Sequence, residues 1–371
     1  MEIFINQILA HKEAAALPHL LESGGLPALV SGLSAVHRAN LAAALRLHSG
    51  APLFVICPDD TAAENFARDL QAMLGEEAAL LTMRELNLNP VEAASRQTEQ
   101  KRIAALYALA KGERSLAVAS ISGLMQRCMA PGTLGEAAME IRADLSCDPE
   151  QLELALLRCG YTRTHQVEGP GQFARRGGIL DFFSPAETQP VRVEFWGDEV
   201  DSMGHFDVAS QRREDALQQA CILPALEALP DLFPGGREGL CQKMEEMAEK
   251  YARKRSSENA ASLAAALRGD AERLRAGAVL SDADRYLPLL FPSTCAADYI
   301  PADAVVVLDQ PSRCSERAKE FIKQLGEDIA EQQRRGRVAL GADGFAMSFE
   351  ALMKRLADYP VYMAEAFTVG R

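Results

Sequence analysis

The chain has 371 residues, of which 48% are hydrophobic and 25% charged, and its formal net charge is -13. This length exceeds the usual size of one domain, so two or three domains are expected. The negative charge repels polyphosphates, and no Lys/Arg stripe with interleaved aromatic residues is present. Strong nucleic-acid binding through counterion release is therefore disfavoured.

An amphipathic helix is predicted at the N-terminus, in MEIFINQILAHKEAAALPHLL, which lacks the basic start and unbroken apolar core of a signal peptide. No stretch reaches membrane-spanning length, so we expect a cytoplasmic protein without a membrane partner. The eight cysteines are far apart, with no C-x-x-C pair and no histidine at a ligand spacing. That pattern favours reduced thiols in the core over a metal site.

A candidate phosphate-binding loop follows the first predicted strand, in VSGLSAVHRANLAAAL at residues 30–45. Such a loop needs a second glycine to wrap the phosphates, a lysine to reach them, and a Ser or Thr hydroxyl for Mg²⁺. Counting the pattern forward from Gly32 places His37, Arg38 and Ala39 at these positions. Arg38 keeps a positive charge, but Ala39 has no oxygen for the metal and His37 crowds the turn. A productive nucleotide site is not expected.

Short apolar strands alternate with helices in the first third of the chain. The predicted strands are 28–30, 53–57, 78–81 and 116–120, with helices around 40–48, 61–74 and 95–111 between them. Asp59 or Asp60 is expected to cap the second helix. This alternation predicts a parallel sheet covered by helices on both faces.

The middle of the chain has a different pattern. DPEQLELALLRCGY predicts a helix with Asp148 as N-cap, Gln151 completing a capping box, and Gly160 at its end. After it the period changes to two, and GGILDFFS, VRVEFWG and EVDSMGHFD predict an antiparallel meander. Helices return beyond about residue 216, with one more strand near 304–308. The predicted domains are 1–128, a small α+β insert at 129–215, and 216–371.

One face of a middle strand has the composition of a binding surface. Alternation within Val191–Trp196 places Arg192, Glu194 and Trp196 on one face and three apolar residues on the other. The apolar face is expected to meet the core, which leaves the only tryptophan beside an arginine, as in binding hot spots. The alternative, that Trp196 packs beneath a neighbouring helix, stays open. A solvated turn likewise stays open for Arg175 and Arg176.

A long block in this region resembles a known family. GQFARRGGILDFFSPAETQPVRVEFWGDEVDSMGHFD, continued by VASQRR, is similar to a segment that the excision-repair protein UvrB shares with the N-terminal part of bacterial transcription-repair coupling factors. The flanking GYTRTHQVEGPG and ISGLMQRCMAP agree with it. The resemblance implies an α/β fold: a degenerate helicase-like parallel-sheet domain of the RecA-like, P-loop NTPase type, interrupted by a small α+β UvrA-binding domain.

Three departures favour the coupling factors over UvrB. The first is the incomplete phosphate loop. The second is AVVVLDQP, which resembles the strand ending in Asp-Glu that holds magnesium and activates water; Asp309 remains, but Gln310 has no carboxylate. The third is residues 83–102, at the position of UvrB's aromatic-rich DNA hairpin, which contain no Phe, Tyr or Trp for stacking on bases.

The resemblance also implies a partner and its contacts. In the family two arginines and an aromatic residue contact UvrA, and they correspond here to Arg176, Arg192 and Trp196, although the aromatic is more often phenylalanine. Arg175 is the one candidate for an auxiliary contact. Glu194 and Asp198 could pair with basic residues of UvrA, an exposed pair contributing about 0 to 1 kcal/mol.

The expected function is a non-catalytic module that recruits UvrA to RNA polymerase stalled at DNA lesions. No catalytic residue, metal or cofactor is expected in this chain. By resemblance the parent protein is an ATP- and Mg-dependent DNA translocase, whose motor and whose contacts with RNA polymerase and double-stranded DNA lie in other domains. One alternative is a divergent UvrB-like ATP- and DNA-binding repair enzyme using Arg38 and Asp309. Another is a nucleic-acid-binding module, against which the acidic balance counts.

Overall fold

A computed structural model describes residue 5 and residues 8–10, 15–23, 27–89, 96–143, 146–253 and 258–366. The described strands are Ala28–Val30 (β1), Leu53–Cys57 (β2), Ala79–Leu81 (β3), Leu116–Ser120 (β4), Met139–Arg142 (β5), Thr162–Arg163 (β6), Gln172–Arg176 (β7), Ile179–Phe182 (β8), Val191–Trp196 (β9), Glu199–His205 (β10), Gln219–Ile222 (β11), Val305–Asp309 (β12) and Val361–Ala364 (β13).

The described helices lie between the N-terminal region and the last strand, β13. They are Leu17–Ser23 (α1), Ala35–Ser49 (α2), Asp60–Leu74 (α3), Gln97–Ala110 (α4), Ile121–Met125 (α5), Pro131–Ala137 (α6), Pro149–Arg158 (α7), Gly236–Ala252 (α8), Glu258–Arg275 (α9), Leu287–Leu290 (α10), Pro311–Arg334 (α11) and Phe349–Leu356 (α12). Short 3-10 helices lie at Pro230–Leu232, Ala283–Tyr286, Ala296–Tyr299 and Ala342–Gly344. None of these described helices is long and apolar enough to cross a membrane.

Six parallel strands form the larger sheet, in the order β1-β13-β12-β2-β4-β3. Alternate residues of its central strands enter two different cores: Phe54 and Ile56 pack with α4, α8 and α9, whereas Leu53 and Val55 pack with α2 and α3. Both faces are buried, so the strands read as continuous apolar runs. The predicted parallel sheet covered on both sides is confirmed.

The middle of the chain forms a second, five-stranded sheet in the order β10-β9-β8-β7-β6. The pairs from β7 to β10 are antiparallel, as predicted, and the short β6 pairs with β7 in parallel. Helix α7 covers one face, where Leu152 and Leu156 meet Leu180 and Val193. A two-stranded sheet of β5 and β11 brings the two ends of this unit together. The opposite face of the five-stranded sheet carries the polar side chains described below.

Five buried charged residues join the segments around the insert. Arg84, after β3, makes two bonds to Asp284 at 2.8 and 3.0 Å, and lies 3.3 Å from Glu227, which follows β11. Arg102 of α4 lies 3.1 Å from the same Glu227 carboxylate, and Glu99 accepts the Glu227 amide at 2.8 Å. Burial raises the pKa of Glu99, against the opposing effect of Arg84. Two of these arginines lie in the stretch 83–102, of which residues 90–95 are outside the described part of the chain.

Two local predictions need correction. Helix α2, predicted around 40–48, begins at Ala35 because Ser34 is a good N-cap and its side chain accepts the His37 amide. Asp148 caps α7 through the Glu150 amide at 2.8 Å, rather than through a capping box with Gln151. Asp59 is the cap of α3, one of the two candidates named from the sequence.

Candidate functional site

The turn after β1 is too short to wrap a phosphate chain. Because α2 begins at Ala35, only residues 31–34 separate it from the strand, and His37 and Arg38 lie in the first turn of the helix. Gly32 has a φ of +82°, the one left-handed residue in the turn. A phosphate loop presents a series of backbone amides around its ligand before the helix starts, and this segment is helical instead.

The free amides of this turn already have acceptors. Gly32 donates to the Ala366 carbonyl at 3.4 Å, and Leu33 donates to the Glu365 carbonyl at 3.3 Å. A phosphate would have to displace the segment that follows β13. The sequence could not reveal this, because it depends on residues more than 300 positions away.

Arg38, in the first turn of α2, and Asp309, the last residue of β12, form a buried ion pair. Arg38 also donates to the Leu33 carbonyl at 3.0 Å, and the Gln310 amide donates to the second Asp309 oxygen at 3.3 Å. Burial raises the pKa of the Asp309 carboxyl, and the Arg38 pair offsets part of that rise. Ala39 is fully buried and adds no ligand. Both Asp309 oxygens therefore bind groups of this chain.

The five-stranded sheet brings four of the predicted site residues together. Its side away from α7, called the polar face below, includes Arg176, Ile179, Asp181, Arg192, Glu194, Trp196 and Ser202. The register aligns them in two cross-strand rows, Arg176 with Ile179, Glu194 and Ser202, and Asp181 with Arg192. Trp196 lies at the end of β9, opposite Glu199. The strand alternation read from the sequence is confirmed on this face.

One carboxylate organises both arginines of the polar face. Asp181, which is buried, accepts Arg192 Nε at 2.7 Å and Nη2 at 2.8 Å, and also accepts Arg176 Nη2 at 2.8 Å. Such a paired donor arrangement fixes the guanidinium plane of Arg192. Arg192 donates further to the Gln211 carbonyl at 3.1 Å and stacks 4.5 Å above the Phe206 ring. Two positive charges share one negative charge, so the pair of arginines keeps a net positive charge.

Trp196 points into solvent with 82% of its surface exposed. Packing beneath a helix, the alternative left open by the sequence, is thereby excluded in this structure. The Arg176 side chain is 52% exposed and that of Arg192 15% exposed. Glu194 accepts the Ser202 hydroxyl at 2.9 Å. A large exposed indole beside fixed guanidinium groups is a composition found at protein interfaces.

Arg175 does not share this face. It pairs with Leu180 in the register and so points to the side covered by α7, where it lies 3.3 Å from Glu153. Residues next to each other in a strand face opposite ways, so the alternation already contained this signal. Sequence reasoning also missed Arg213, whose guanidinium donates to the Ser202 hydroxyl at 2.9 Å.

The described residues contain no cluster of three or more His, Cys, Asp or Glu side chains that could hold a metal ion. All eight cysteines are unpaired, and six of them are buried. Burial raises the pKa of the Cys57 and Cys314 thiols next to the Arg38–Asp309 pair.

Comparison with known proteins shows what these features resemble. The UvrB interaction domain matches residues 139–227, which run from β5 through β11 and include the polar face. The transcription-repair-coupling factor of Bacillus subtilis is 27% identical over 322 residues, covering 86% of this chain and 27% of that protein. The factor from Myxococcus xanthus is 35% identical over 208 residues, covering 53% of this chain and 17% of that protein.

A third relative, the transcription-repair-coupling factor of Haemophilus influenzae, is 25% identical over 312 residues, covering 82% of this chain. The matched region is at most 27% of the length of these three relatives. Residues 139–227 thus match the UvrB interaction domain, and over most of its length the chain is similar to transcription-repair-coupling factors.

Proposed function

We propose that this chain is a non-catalytic module that binds the excision-repair protein UvrA through the polar face of its five-stranded sheet. In the complete protein this contact brings UvrA to RNA polymerase stalled at a DNA lesion. The observation that carries the proposal is the exposed Trp196 on the same face as Arg176 and Arg192, inside the segment that matches the UvrB interaction domain.

The chemistry of the face suits a protein partner. An exposed indole keeps apolar surface in contact with water, and covering it with a partner's pocket is favourable. A fixed arginine can make two parallel hydrogen bonds to a carboxylate. Exposed acidic residues lie close by at Asp198, Glu199 and Asp201. They repel phosphate but suit a protein surface of mixed charge. The expected complement on UvrA is an apolar pocket flanked by carboxylates.

The same proposal includes the absence of nucleotide binding and hydrolysis at the larger sheet. The Arg38–Asp309 pair and the bonded amides of Gly32 and Leu33 occupy the place where a nucleotide would bind. ATP hydrolysis, and the ATP and Mg²⁺ it needs, are assigned to the remaining length of the parent protein. The contacts with RNA polymerase and double-stranded DNA are assigned there as well, since the relatives are named for coupling transcription to repair.

Isothermal titration calorimetry with purified UvrA tests the docking proposal. The wild type is compared with Arg176→Ala, Arg192→Ala and Trp196→Ala. Loss of an aromatic or arginine anchor at a protein interface costs about 2 kcal/mol or more, so each variant is expected to bind about thirtyfold more weakly.

The matched control is Leu154→Ala, which removes an exposed apolar side chain from α7, on the side of the sheet away from the polar face. Its affinity for UvrA is expected to equal that of the wild type. Unchanged affinity in all three polar-face variants, or no binding by the wild type, would contradict the proposal.

A further inference from the structure

We infer that Arg213 is a third cationic contact of the polar face, aimed at a carboxylate of the docked protein. The inference rests on the proposed function, because it assigns a specificity-determining residue to the same surface. Arg213 follows β10 in the loop that contains VASQRR, and it is exposed.

Neutral acceptors hold the Arg213 guanidinium in one place. Its Nη1 donates to the Ser202 hydroxyl at 2.9 Å, its Nη2 to the Met203 carbonyl at 2.6 Å, and its Nε to the Asp215 carbonyl at 3.3 Å. No carboxylate of the described residues lies within the 4.0 Å that defines an ion pair. The guanidinium is therefore held in place without a direct ion pair, and Glu194 is linked to it only through the shared Ser202 hydroxyl. Arg176 and Arg192, by contrast, share Asp181.

The neighbouring backbone is shaped to admit this side chain. A Cβ at Gly204 would lie 2.6 Å from Arg213 Nε and would also collide with the Asp215 carbonyl oxygen. Only a glycine at this point of β10 allows the guanidinium to lie so close to the strand.

The loop from β10 to Arg213 also fixes Arg192. Gln211 has a φ of +61°, a conformation that costs energy for a residue with a side chain, and its carbonyl accepts Arg192 Nη1 at 3.1 Å. Asp207 stabilises the loop by accepting the Ser210 amide at 2.7 Å, and this backbone hydrogen bond lowers its pKa. One folded loop thus positions Arg213 and supports Arg192.

The positions of the three arginines define the complement they need. Arg176 lies on β7 and Ser202, the partner of Arg213, on β10, so three strand spacings, about 14 Å, separate the two margins of the face. Arg192 and Trp196 lie between them on β9. The docked surface should therefore present carboxylates on both sides of the pocket that takes the indole.

Titration with purified UvrA at low and high salt tests this inference. Arg213→Ala is expected to bind about fivefold more weakly and to show a smaller loss of affinity on adding salt. Because Arg213 also ties the loop to β10, the second variant is Arg213→Gln, which keeps hydrogen-bond donors but removes the charge. It is expected to weaken binding equally, with an unchanged urea midpoint.

Arg212→Ala is the matched control, because it removes the same charge from the preceding residue. Arg212 is exposed, and its side chain makes no hydrogen bond or ion pair with the described residues. It should bind within about twofold of the wild type. If the Arg213 variants bind as Arg212→Ala does while Trp196→Ala binds weakly, the inference is wrong and the docking proposal stands. If the wild type itself does not bind UvrA, both fall.

Discussion

The arginines near the two sheets differ in how their charges are paired. At the parallel sheet, Arg38 pairs with Asp309 one to one, both buried, and Arg38 also donates to the Leu33 carbonyl. At the five-stranded sheet, Arg176 and Arg192 share one carboxylate and Arg213 has none, so positive charge stays at the surface. The Arg38–Asp309 pair supports the fold, whereas the two arginines bound to Asp181 are not fully paired and are available to a partner. The number of guanidinium groups per carboxylate, two at Asp181 and one at Asp309, separates the two ion-pair clusters.

The largest effect is expected from breaking the Arg38–Asp309 pair. Arg38→Met leaves the buried Asp309 without its partner, and removing one member of a buried pair lowers the free energy of unfolding by about 3–5 kcal/mol. Urea denaturation at neutral pH measures this. The loss should shrink as the pH is lowered, because protonation of Asp309 removes the unpaired charge.

The double variant Arg38→Met with Asp309→Leu is the control for that experiment. Replacing both charges together should restore most of the lost stability, because no uncompensated ion is left. Equal destabilisation in the single and double variants would show that packing, rather than charge, accounts for the loss.

Removing the shared carboxylate tests the opposite region. Asp181→Asn removes the carboxylate that Arg176 and Arg192 share. The free energy of unfolding is expected to fall by about 2 kcal/mol, because Asp181 is buried. Affinity for UvrA should fall about tenfold, because the two guanidinium groups are no longer fixed. Full affinity in a folded Asp181→Asn protein would show that the orientation set by Asp181 is not needed.

A smaller effect, with a defined pH dependence, is expected at His205, at the end of β10. Its ring nitrogens lie 3.1 Å from the Asp215 carboxylate and 3.3 Å from Glu187. Burial lowers the pKa of His205, but the hydrogen bonds to these two carboxylates outweigh burial and raise it overall. The stabilisation is fully present below the unfolded pKa of about 6.5 and is lost as pH rises through the folded pKa.

Thermal melting of the wild type and His205→Gln across pH measures this dependence. The wild type should have its greatest advantage in melting temperature below about pH 6, and the advantage should shrink as the pH rises through the raised pKa of folded His205. An advantage that does not change with pH would assign the contact to packing or neutral hydrogen bonding.

The smallest effect on stability belongs to the residue expected to matter most for binding. Trp196→Ala removes a side chain that packs little against the rest of the protein, so the free energy of unfolding should change by less than about 0.5 kcal/mol. Urea denaturation checks this beside the UvrA titration. A large loss of stability would mean that the indole supports the fold, contrary to its exposure.

Local patterns in the sequence predicted much of the fold. The apolar runs at β2 and β4 agree with the structure at both ends, because strands buried on both faces leave no ambiguous polar residues; the bounds of β1 also agree, although Leu29 is exposed. Alternation in β9 predicted Trp196 on the polar face, and the structure shows the side chain exposed there. The same rule applied to Arg175 and Arg176 would have placed them on opposite faces.

Long-range pairings were beyond the sequence. The amides of Gly32 and Leu33 bond to residues near the end of the chain, and Arg38 meets a carboxylate 271 positions away. Periodicity describes one element at a time and does not identify such partners. Arg213 was missed for a related reason, since its position depends on the close approach that Gly204 allows.

The buried charges at Arg84, Arg102, Glu227 and Asp284 restrict how the insert can move. Glu227 follows β11, where the chain leaves the UvrB interaction domain, and its carboxylate lies within 3.3 Å of Arg84 and Arg102. Rotating the insert about this point would separate that carboxylate from both arginines. The separation is costly because all three groups are buried and water cannot replace the lost partners. We therefore expect the joint to resist such a displacement, so that a force applied to the insert is transmitted to the parallel sheet.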